Sequence, residues 1–236
     1  MKRFAICLNG NIEFWDTCKD SFINNILEKA YPVIPDIFIH LYSKKSSKTD
    51  ISIIEKKFVF VLSSGQKISP TKIIIENEGA AKRNVKKDVN ELYKYGDKTS
   101  IDMAFLELKS MNNAYKLMKE YESQNSLEYD IIMISKLNVK FEEEINLEDI
   151  KNENTFYMIE VDGSVPNYHS VIGLPKGIEV YASLFDEMFI SRNEQVYIGS
   201  FNPSEITLLL RHCCIKNKVI GDWGWTGYKK AVLCSN

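Results

Sequence analysis

Two short polar stretches directly follow apolar runs, and they are the first places in this 236-residue sequence where chemistry could occur. The triplet NGN, residues 9–11, ends the apolar run over residues 3–8. Lys136 and Asn138 come just after a second run, over residues 130–134. In an open α/β sheet, the carboxyl end of a strand is where side chains meet a ligand. The two stretches therefore predict a binding site at one edge of a sheet.

Each stretch also has an ordinary structural interpretation. Asn9, Gly10 and Asn11 could form a strand-to-helix turn that caps the following helix, and Lys136 and Asn138 could form a solvated turn. The triplet lacks the GxGxxG pattern that lets backbone approach a pyrophosphate in a Rossmann dinucleotide site. The chain also lacks GxxxxGK[ST], which argues against a P-loop NTPase.

Strands and helices alternate around these stretches. Short apolar runs predict strands, and apolar residues spaced three and four apart predict helices. The predicted strands cover residues 3–8, 36–42, 58–62, 72–76, 130–134, 155–161 and 219–220. The predicted helices cover residues 15–27, 101–121, 178–189 and 202–213. The fold class is therefore α/β: a single domain over residues 1–236, with a mostly parallel mixed sheet flanked by helices.

Two polar segments are predicted to be loops. Residues 44–50 read as a solvated loop. Residues 77–100 are rich in Lys, Asn, Asp and Gly, so little apolar burial offsets the entropy of ordering them. We predict that residues 77–100 form a mobile loop or insertion, less ordered than the rest of the chain.

Composition narrows the class of protein. The chain is 44% hydrophobic, with 12 Phe and 12 Tyr, which suits a large core. A net charge of -2 and a pI of about 6.0 favour neither nucleic acid nor an anionic membrane, and no apolar run is long enough for a membrane span. The cysteine count is odd and no CxxC is present, which indicates buried reduced thiols in a cytoplasmic protein. The cysteines are Cys7, Cys18, Cys213, Cys214 and Cys234.

Four stretches together resemble the glycosyltransferases of the GT-A fold found in giant viruses and in bacterial polysaccharide loci. The opening FAICLNGNIEFW precedes a helix, and DIFIHLYS is similar to a "DvFiHtW" strand. The helix NNAYKLMKEYE leads into YDIIMISKLNVKF, which matches "yD-x-v-i-x-x-R-x-D-x-x-F". The late stretch FNPSEITLLLRHCCI is similar to an "hPE-x-x-l-x-x-h-l" helix. In that order they span most of the chain, and the resemblance implies a GT-A-like, nucleotide-sugar-binding fold.

The resemblance implies a nucleotide-sugar donor, a glycan or glycoconjugate acceptor and a role in polysaccharide biosynthesis. At two positions the chain departs from the pattern, because Lys136 and Asn138 stand where the family has Arg and Asp. That Asp usually holds a divalent metal on the donor diphosphate, and an amide is a poorer ligand for Mn²⁺ or Mg²⁺. Lys136 could instead neutralise the diphosphate directly. The resemblance thus implies donor binding by the two polar stretches, with Asn138 as the metal-ligand position and the metal itself left open.

The resemblance also directs attention to a base for the acceptor. Asp162 follows the strand over residues 155–161, and His169 lies in the loop beyond it, so either could accept a proton. Glu205 has two interpretations: it closes a capping box after Asn202, or it acts as base or acceptor ligand. His40 lies within an apolar strand and is read as a core histidine.

Residues of the aromatic tail could make further contacts with the nucleotide-sugar donor. Asp222 and Trp223, with Trp225 and Tyr228, could cover the donor or stack on a sugar, and two Trp beside Gly are also ordinary C-terminal packing. A different class of function stays open: a non-catalytic module that binds a glycan or a partner, which Asn138 favours. A nucleotidyltransferase is a third alternative, and it would require a glycine-rich phosphate loop near the first strand.

Overall fold

A seven-stranded mixed sheet organises the chain in this computed structural model. The structure describes residues 2–44, 48–88, 98–158, 169–186, 213–214, 217, 220–222 and 231–233. Only the backbone is described at residues 48–49, 85–88, 100, 220–222 and 231–233. None of the helices in these ranges combines the length and the apolar character that crossing a bilayer requires.

The elements alternate along the chain as the sequence predicts. In order they are β1 (Phe4–Asn11), α1 (Trp15–Phe22), α2 (Glu28–Ala30), β2 (Asp36–Ser43), α3 (Lys48–Lys56), β3 (Phe60–Val61), β4 (Lys67–Ile68), β5 (Lys72–Asn77), α4 (Glu78–Asp88), α5 (Lys98–Asn125), β6 (Ile131–Lys136), β7 (Val139–Phe141), β8 (Thr155–Met158), β9 (Ser170–Gly173), α6 (Pro175–Ala182), β10 (Ile220–Asp222) and β11 (Ala231–Leu233). A π-helical turn, Ile23–Leu27, joins α1 to α2.

The strand order in the sheet is β10-β8-β9-β6-β1-β2-β5. Neighbouring strands run parallel except at β9, which is antiparallel to both β6 and β8. The prediction of a mostly parallel mixed sheet flanked by helices is confirmed. The prediction that the strands near residues 3–8, 36–42 and 130–134 are neighbours is also confirmed, since β1 pairs with both β2 and β6.

Alternating side chains of the central strands build a core on each face of the sheet. Ala5 and Cys7 of β1 belong to one cluster, with residues of α5 and α6. Phe4, Ile6 and Leu8 belong to the other, with residues of α1. Cys7, Cys18, Cys213 and Cys214 are buried, as predicted, and Cys234 lies outside the described residues.

The predicted loop over residues 77–100 is wrong at both ends. Residues 78–88 form α4 and residues 98–100 begin α5, while residues 89–97 lie outside the described part of the chain. The Asn77 side chain caps α4 by accepting a hydrogen bond from the Ala80 amide at 2.9 Å. Glu78 pairs with Lys82 one turn later, at 2.5 Å, and Ala81 is buried. A cap, an ion pair and a small buried face therefore stabilise α4, although its polar composition does not predict a helix.

Three smaller differences concern short elements. Lys48 already begins α3, so the predicted loop over residues 44–50 is shorter than expected. The strand predicted over residues 58–62 contributes only β3, which pairs with β4 in a separate hairpin. Four residues of β9 were not predicted as a strand, because so short a run carries little periodicity.

Candidate functional site

Strand register brings the two polar stretches side by side. Asn9 of β1 is opposite Lys136 of β6 in one direction and His40 of β2 in the other. The Asn9 side chain is buried and donates to the Ser135 carbonyl oxygen at 3.0 Å, so it ties the two strand ends together. The Leu137 amide in turn donates to the Asn9 carbonyl oxygen at 3.0 Å, which fixes the turn that leads to Asn138.

A cavity of about 210 Å³ opens at these strand ends. Its polar lining comes from Gly10, Asn11, Glu13, Tyr42, Glu78, Lys82, Glu107, Lys136 and Asn138, and its apolar lining from Phe14, Met103 and Leu106. It lies at the carboxyl ends of β1, β2 and β6, the edge where parallel sheets bind ligands. This volume is below the ~300–1,000 Å³ of pockets for drug-sized ligands, so it has room for a small ligand or for part of a larger one.

Gly10 lines the cavity, in a turn whose backbone conformation requires glycine. Its φ of +111° is a backbone conformation that other residues rarely adopt, and a Cβ there would meet no atom within 4 Å. The turn therefore needs glycine for its backbone, while the space beside it stays open. Asn11 accepts a hydrogen bond from the Glu13 amide at 3.0 Å, which fits the capped-turn interpretation for this residue.

Lys136 is the most buried of the charged residues that line the cavity. It is 7% exposed, and its ammonium donates to the Glu107 carboxylate at 2.7 Å. Burial lowers the pKa of Lys136, while the charge and the hydrogen bond of Glu107 oppose that shift. The pair therefore holds a desolvated cation next to the cavity, where its interaction with an anion is less screened than in water.

His169 lies directly behind Lys136. Its carbonyl oxygen accepts a hydrogen bond from the Lys136 amide at 2.9 Å. Burial, reinforced by the positive charge of Lys136, lowers the pKa of His169 to about 2. An imidazole with so low a pKa is a weak proton acceptor, so in this conformation its chemistry favours a positioning contact over the role of base.

His40 is a core histidine, as predicted. Its Nδ1 lies 3.0 Å from the Ser110 hydroxyl, and its Nε2 lies 3.1 Å from the Asn113 amide nitrogen and 3.3 Å from a Glu76 carboxylate oxygen. Ser110, on α5, also accepts from the Gly10 amide at 3.1 Å and donates to the His40 carbonyl oxygen at 2.9 Å. This one hydroxyl thus fixes both strand ends against the helix.

Every carboxylate that lines the cavity has a lysine partner. Glu13 pairs with Lys44 at 2.7 Å, Glu78 with Lys82 at 2.5 Å and Glu107 with Lys136 at 2.7 Å. Among the described residues no group of three or more His, Cys, Asp or Glu is arranged to hold a metal ion. Asn138 offers an amide oxygen beside a lysine, and this donor set does not fit Mg²⁺ or Mn²⁺, which prefer carboxylates and waters.

Two polar atoms of the lining have no hydrogen-bond partner. They are the Tyr42 hydroxyl and Oε2 of Glu78, both on residues at most 9% exposed. Burial raises the pKa of Tyr42, with the Glu76 charge adding to the shift, so the phenol stays protonated. Buried polar groups in native proteins are nearly always paired, which makes these two atoms unusual.

A larger and shallower groove, of about 830 Å³, lies at the opposite edge of the sheet. Arg3, Asp130, Lys119 and Glu122 are among the residues that line it. Because it is at the amino ends of β1 and β6, it is not at the edge where parallel sheets bind ligands. Its polar groups are also largely bonded to one another: the Arg3 amide donates to Asp130 at 2.7 Å, and Lys119 pairs with Glu122 at 2.5 Å.

The predicted site residues divide into three groups. Asn9, Gly10, Asn11, Lys136 and Asn138 gather at one edge, with His169 behind them. Asp222 ends β10, three strand positions from β6, or about 14 Å away at ~4.8 Å per strand, and the strand register places it level with Met133, before Lys136. Asp162, Glu205 and Trp223 lie outside the described residues, as do Trp225 and Tyr228.

Sequence reasoning missed the contributions of the helices. Glu107 and Ser110 lie on α5, and Glu78 and Lys82 on α4. The available signal was polar residues inside the long apolar period of α5, where Ser110 stands directly before Met111. A serine at a position that the period marks as buried needs a partner, and here the partners are the two strand ends.

Comparison with known proteins leaves the family open. No protein-family model matches the chain, and no curated protein matches it. Among solved structures, mouse xyloside xylosyltransferase 1 in its apo form is similar, at a TM-score of 0.42 and 8% identity, over 94% of this chain and 84% of that chain. A likeness at this level assigns neither a fold family nor an activity to the chain.

Proposed function

We propose that the chain is a glycosyltransferase that moves a sugar from a nucleotide-sugar donor to a glycan or related acceptor. The observation that supports this most is the buried Lys136 ammonium, set at the carboxyl end of β6 beside a cavity shared with the ends of β1 and β2. A diphosphate leaving group needs fixed positive charge where its own charge develops. Lys136 supplies such a charge in a partly desolvated position.

In the proposed reaction, the bond between the anomeric carbon and the diphosphate oxygen breaks, and the diphosphate keeps the electron pair. A bond forms between the anomeric carbon and the acceptor oxygen, whose proton passes to a base. The strand ends at Gly10 and Asn11 line the donor pocket, and Lys136 and Asn138 face the diphosphate. Asp222 and Trp223 are proposed to extend the donor site.

The base is assigned to a carboxylate. Asp162 and Glu205 are the proposed candidates, because the low pKa of His169 makes its imidazole a weak acceptor of protons. His169 is proposed to position Lys136 instead. The donor set around Asn138 supports a reaction with weak metal dependence, in which Lys136 neutralises charge that a cation would otherwise carry.

The proposal is tested by a thermal-shift panel of nucleotide sugars, each with Mn²⁺ and with EDTA. A ligand present at ~100 times its dissociation constant adds ~2.7 kcal/mol to the stability of the folded state, which is readily seen. We expect one donor class to raise the melting temperature in both conditions. Failure of every donor in both conditions would contradict the proposal.

A non-catalytic module that binds a glycan or a partner is the second candidate, and the neutral Asn138 favours it. The two functions separate after a donor is found. A transferase releases nucleoside diphosphate when the donor is incubated with acceptor or water, whereas a binding module leaves the donor intact.

A further inference from the structure

Two polar atoms at the β2 side of the cavity are both buried and unbonded. The Tyr42 hydroxyl and Oε2 of Glu78 have no hydrogen-bond partner, and their residues are 4% and 9% exposed. Both residues line the cavity that contains Lys136. A buried polar group without a partner destabilises the folded state, so a pair of them in one cavity calls for a functional explanation.

We propose that Tyr42 and Glu78 form a subsite for an uncharged ligand group that bears neighbouring hydroxyls, such as a sugar ring. It lies apart from the anion-binding position at Lys136, and it rests on the proposed function only in placing a sugar-bearing ligand in this cavity.

The chemistry of the two atoms selects this class of ligand. Glu78 can only accept, and its other oxygen already pairs with Lys82 at 2.5 Å, so its charge is compensated and a neutral donor suits it better than a cation. The Tyr42 phenol can donate and accept. Each hydroxyl of a diol also donates and accepts, so adjacent hydroxyls can satisfy both residues at once.

The rest of the lining fits one face of a sugar ring. Phe14, Met103 and Leu106 supply apolar surface for ring C–H groups. The volume of about 210 Å³ is small, which favours a single ring at this end over a whole nucleotide sugar. Both unbonded atoms are closed off from water, so a lining side chain must move to admit the ligand. Met103, which is 49% exposed, has the flexible side chain for this.

The test compares Tyr42→Phe with Tyr129→Phe. Each variant removes one phenol hydroxyl beside the same sheet, but the Tyr129 hydroxyl donates to Asp36 at 2.8 Å, at the other edge. Unfolding is followed by thermal melting, and binding by calorimetry. The probes are pyrophosphate, the four ribonucleoside diphosphates, their 2′-deoxy and 3′-deoxy forms, and methyl glycosides.

We expect Tyr42→Phe to melt at the same or a higher temperature than the wild type, because it removes an unpaired buried hydroxyl. It should bind the sugar-bearing probes about 3- to 10-fold more weakly and pyrophosphate equally well. Tyr129→Phe should melt lower and bind every probe as the wild type does. Glu78→Gln should weaken the same sugar-bearing probes by about 10-fold, the usual effect of losing a bond to a charged acceptor.

The probes also identify the source of the hydroxyls. The subsite binds ribose if the two variants bind ribonucleotides more weakly than the wild type does, and if the wild type itself binds the deoxy forms more weakly than the ribonucleotides. A loss seen with methyl glycosides assigns it to a transferred or accepting sugar, and either result supports the proposal.

Three results would overturn it. In the first, Tyr42→Phe melts lower and binds all probes normally, which means that the hydroxyl is structural. In the second, pyrophosphate binds through Lys136 but no sugar-bearing probe responds to either variant, which removes the subsite and leaves the proposed function standing. In the third, no probe of any kind binds the wild type, which removes both.

Discussion

Buried polar groups at the two edges of the sheet differ in whether they have hydrogen-bond partners. At the amino edge, Asp36 accepts from Thr71 at 2.9 Å and from Tyr129 at 2.8 Å, so both its oxygens are occupied. At the carboxyl edge, the Tyr42 hydroxyl and one Glu78 oxygen have no partner. Since an unpaired buried polar group lowers stability, we infer from this contrast that the amino edge contributes stability and that the carboxyl edge is the proposed ligand-binding edge.

The largest change in stability is expected from breaking the amino-edge network. Asp36→Ala removes the acceptor of two side-chain hydrogen bonds and should lower the free energy of unfolding by about 2–3 kcal/mol, as measured by urea denaturation. Asp20→Ala, at an exposed helical position, serves as control and should stay within about 0.5 kcal/mol of the wild type. Loss of ligand binding in Asp36→Ala without loss of stability would reverse the assignment of the two edges.

Weakening the ion pair at the carboxyl edge should strengthen anion binding. In Glu107→Gln the carboxylate no longer competes for the Lys136 ammonium, so pyrophosphate affinity should rise roughly 5-fold, the equivalent of about 1 kcal/mol. Glu13→Gln is the matched control, because it removes a carboxylate from the same cavity but one whose lysine partner is exposed. Unchanged or weaker pyrophosphate binding in Glu107→Gln would show that Glu107 does not compete with the anion for Lys136.

The burial of His169 should make stability depend on pH. Its pKa is lowered to about 2 in the folded state against 6.5 ordinarily, so only the unfolded chain takes up a proton as the pH falls below 6.5. Stability is therefore lost on the acid side, by about 1 kcal/mol between about pH 7.5 and pH 5.5. Urea denaturation of the wild type and of His169→Gln at both pH values measures the difference. An equal loss in the two proteins would mean that His169 is not buried as a neutral ring.

The central strands could be predicted because burial on both faces imposes continuous apolar runs. The sequences of β1, β2 and β6 show this, and their order along the chain placed their ends together. By contrast, α4 is held by a cap at Asn77 and by the Glu78–Lys82 pair. The spacing of apolar residues carries no information about such local polar contacts.

The candidate site could be predicted only where it lies on strand ends. Lys136 and Asn138 follow an apolar run and stand out in the sequence. Glu107, which pairs with Lys136 from 29 residues away, does not, because the apolar spacing that predicts its helix carries no information about polar partners. Pairings of this kind depend on how α5 crosses the sheet, and no local pattern encodes that crossing.

The most direct test of the proposed site is to measure which edge of the sheet binds a nucleoside diphosphate. Calorimetry with pyrophosphate and with each ribonucleoside diphosphate would compare the wild type, Lys136→Met at the carboxyl edge and Arg3→Met in the larger groove at the amino edge. We predict that Lys136→Met weakens binding about 10-fold or more, the effect of losing a charge-assisted hydrogen bond, while Arg3→Met binds as the wild type does. Loss of binding in Arg3→Met with none in Lys136→Met would show that the amino edge, and not the carboxyl edge, binds the diphosphate.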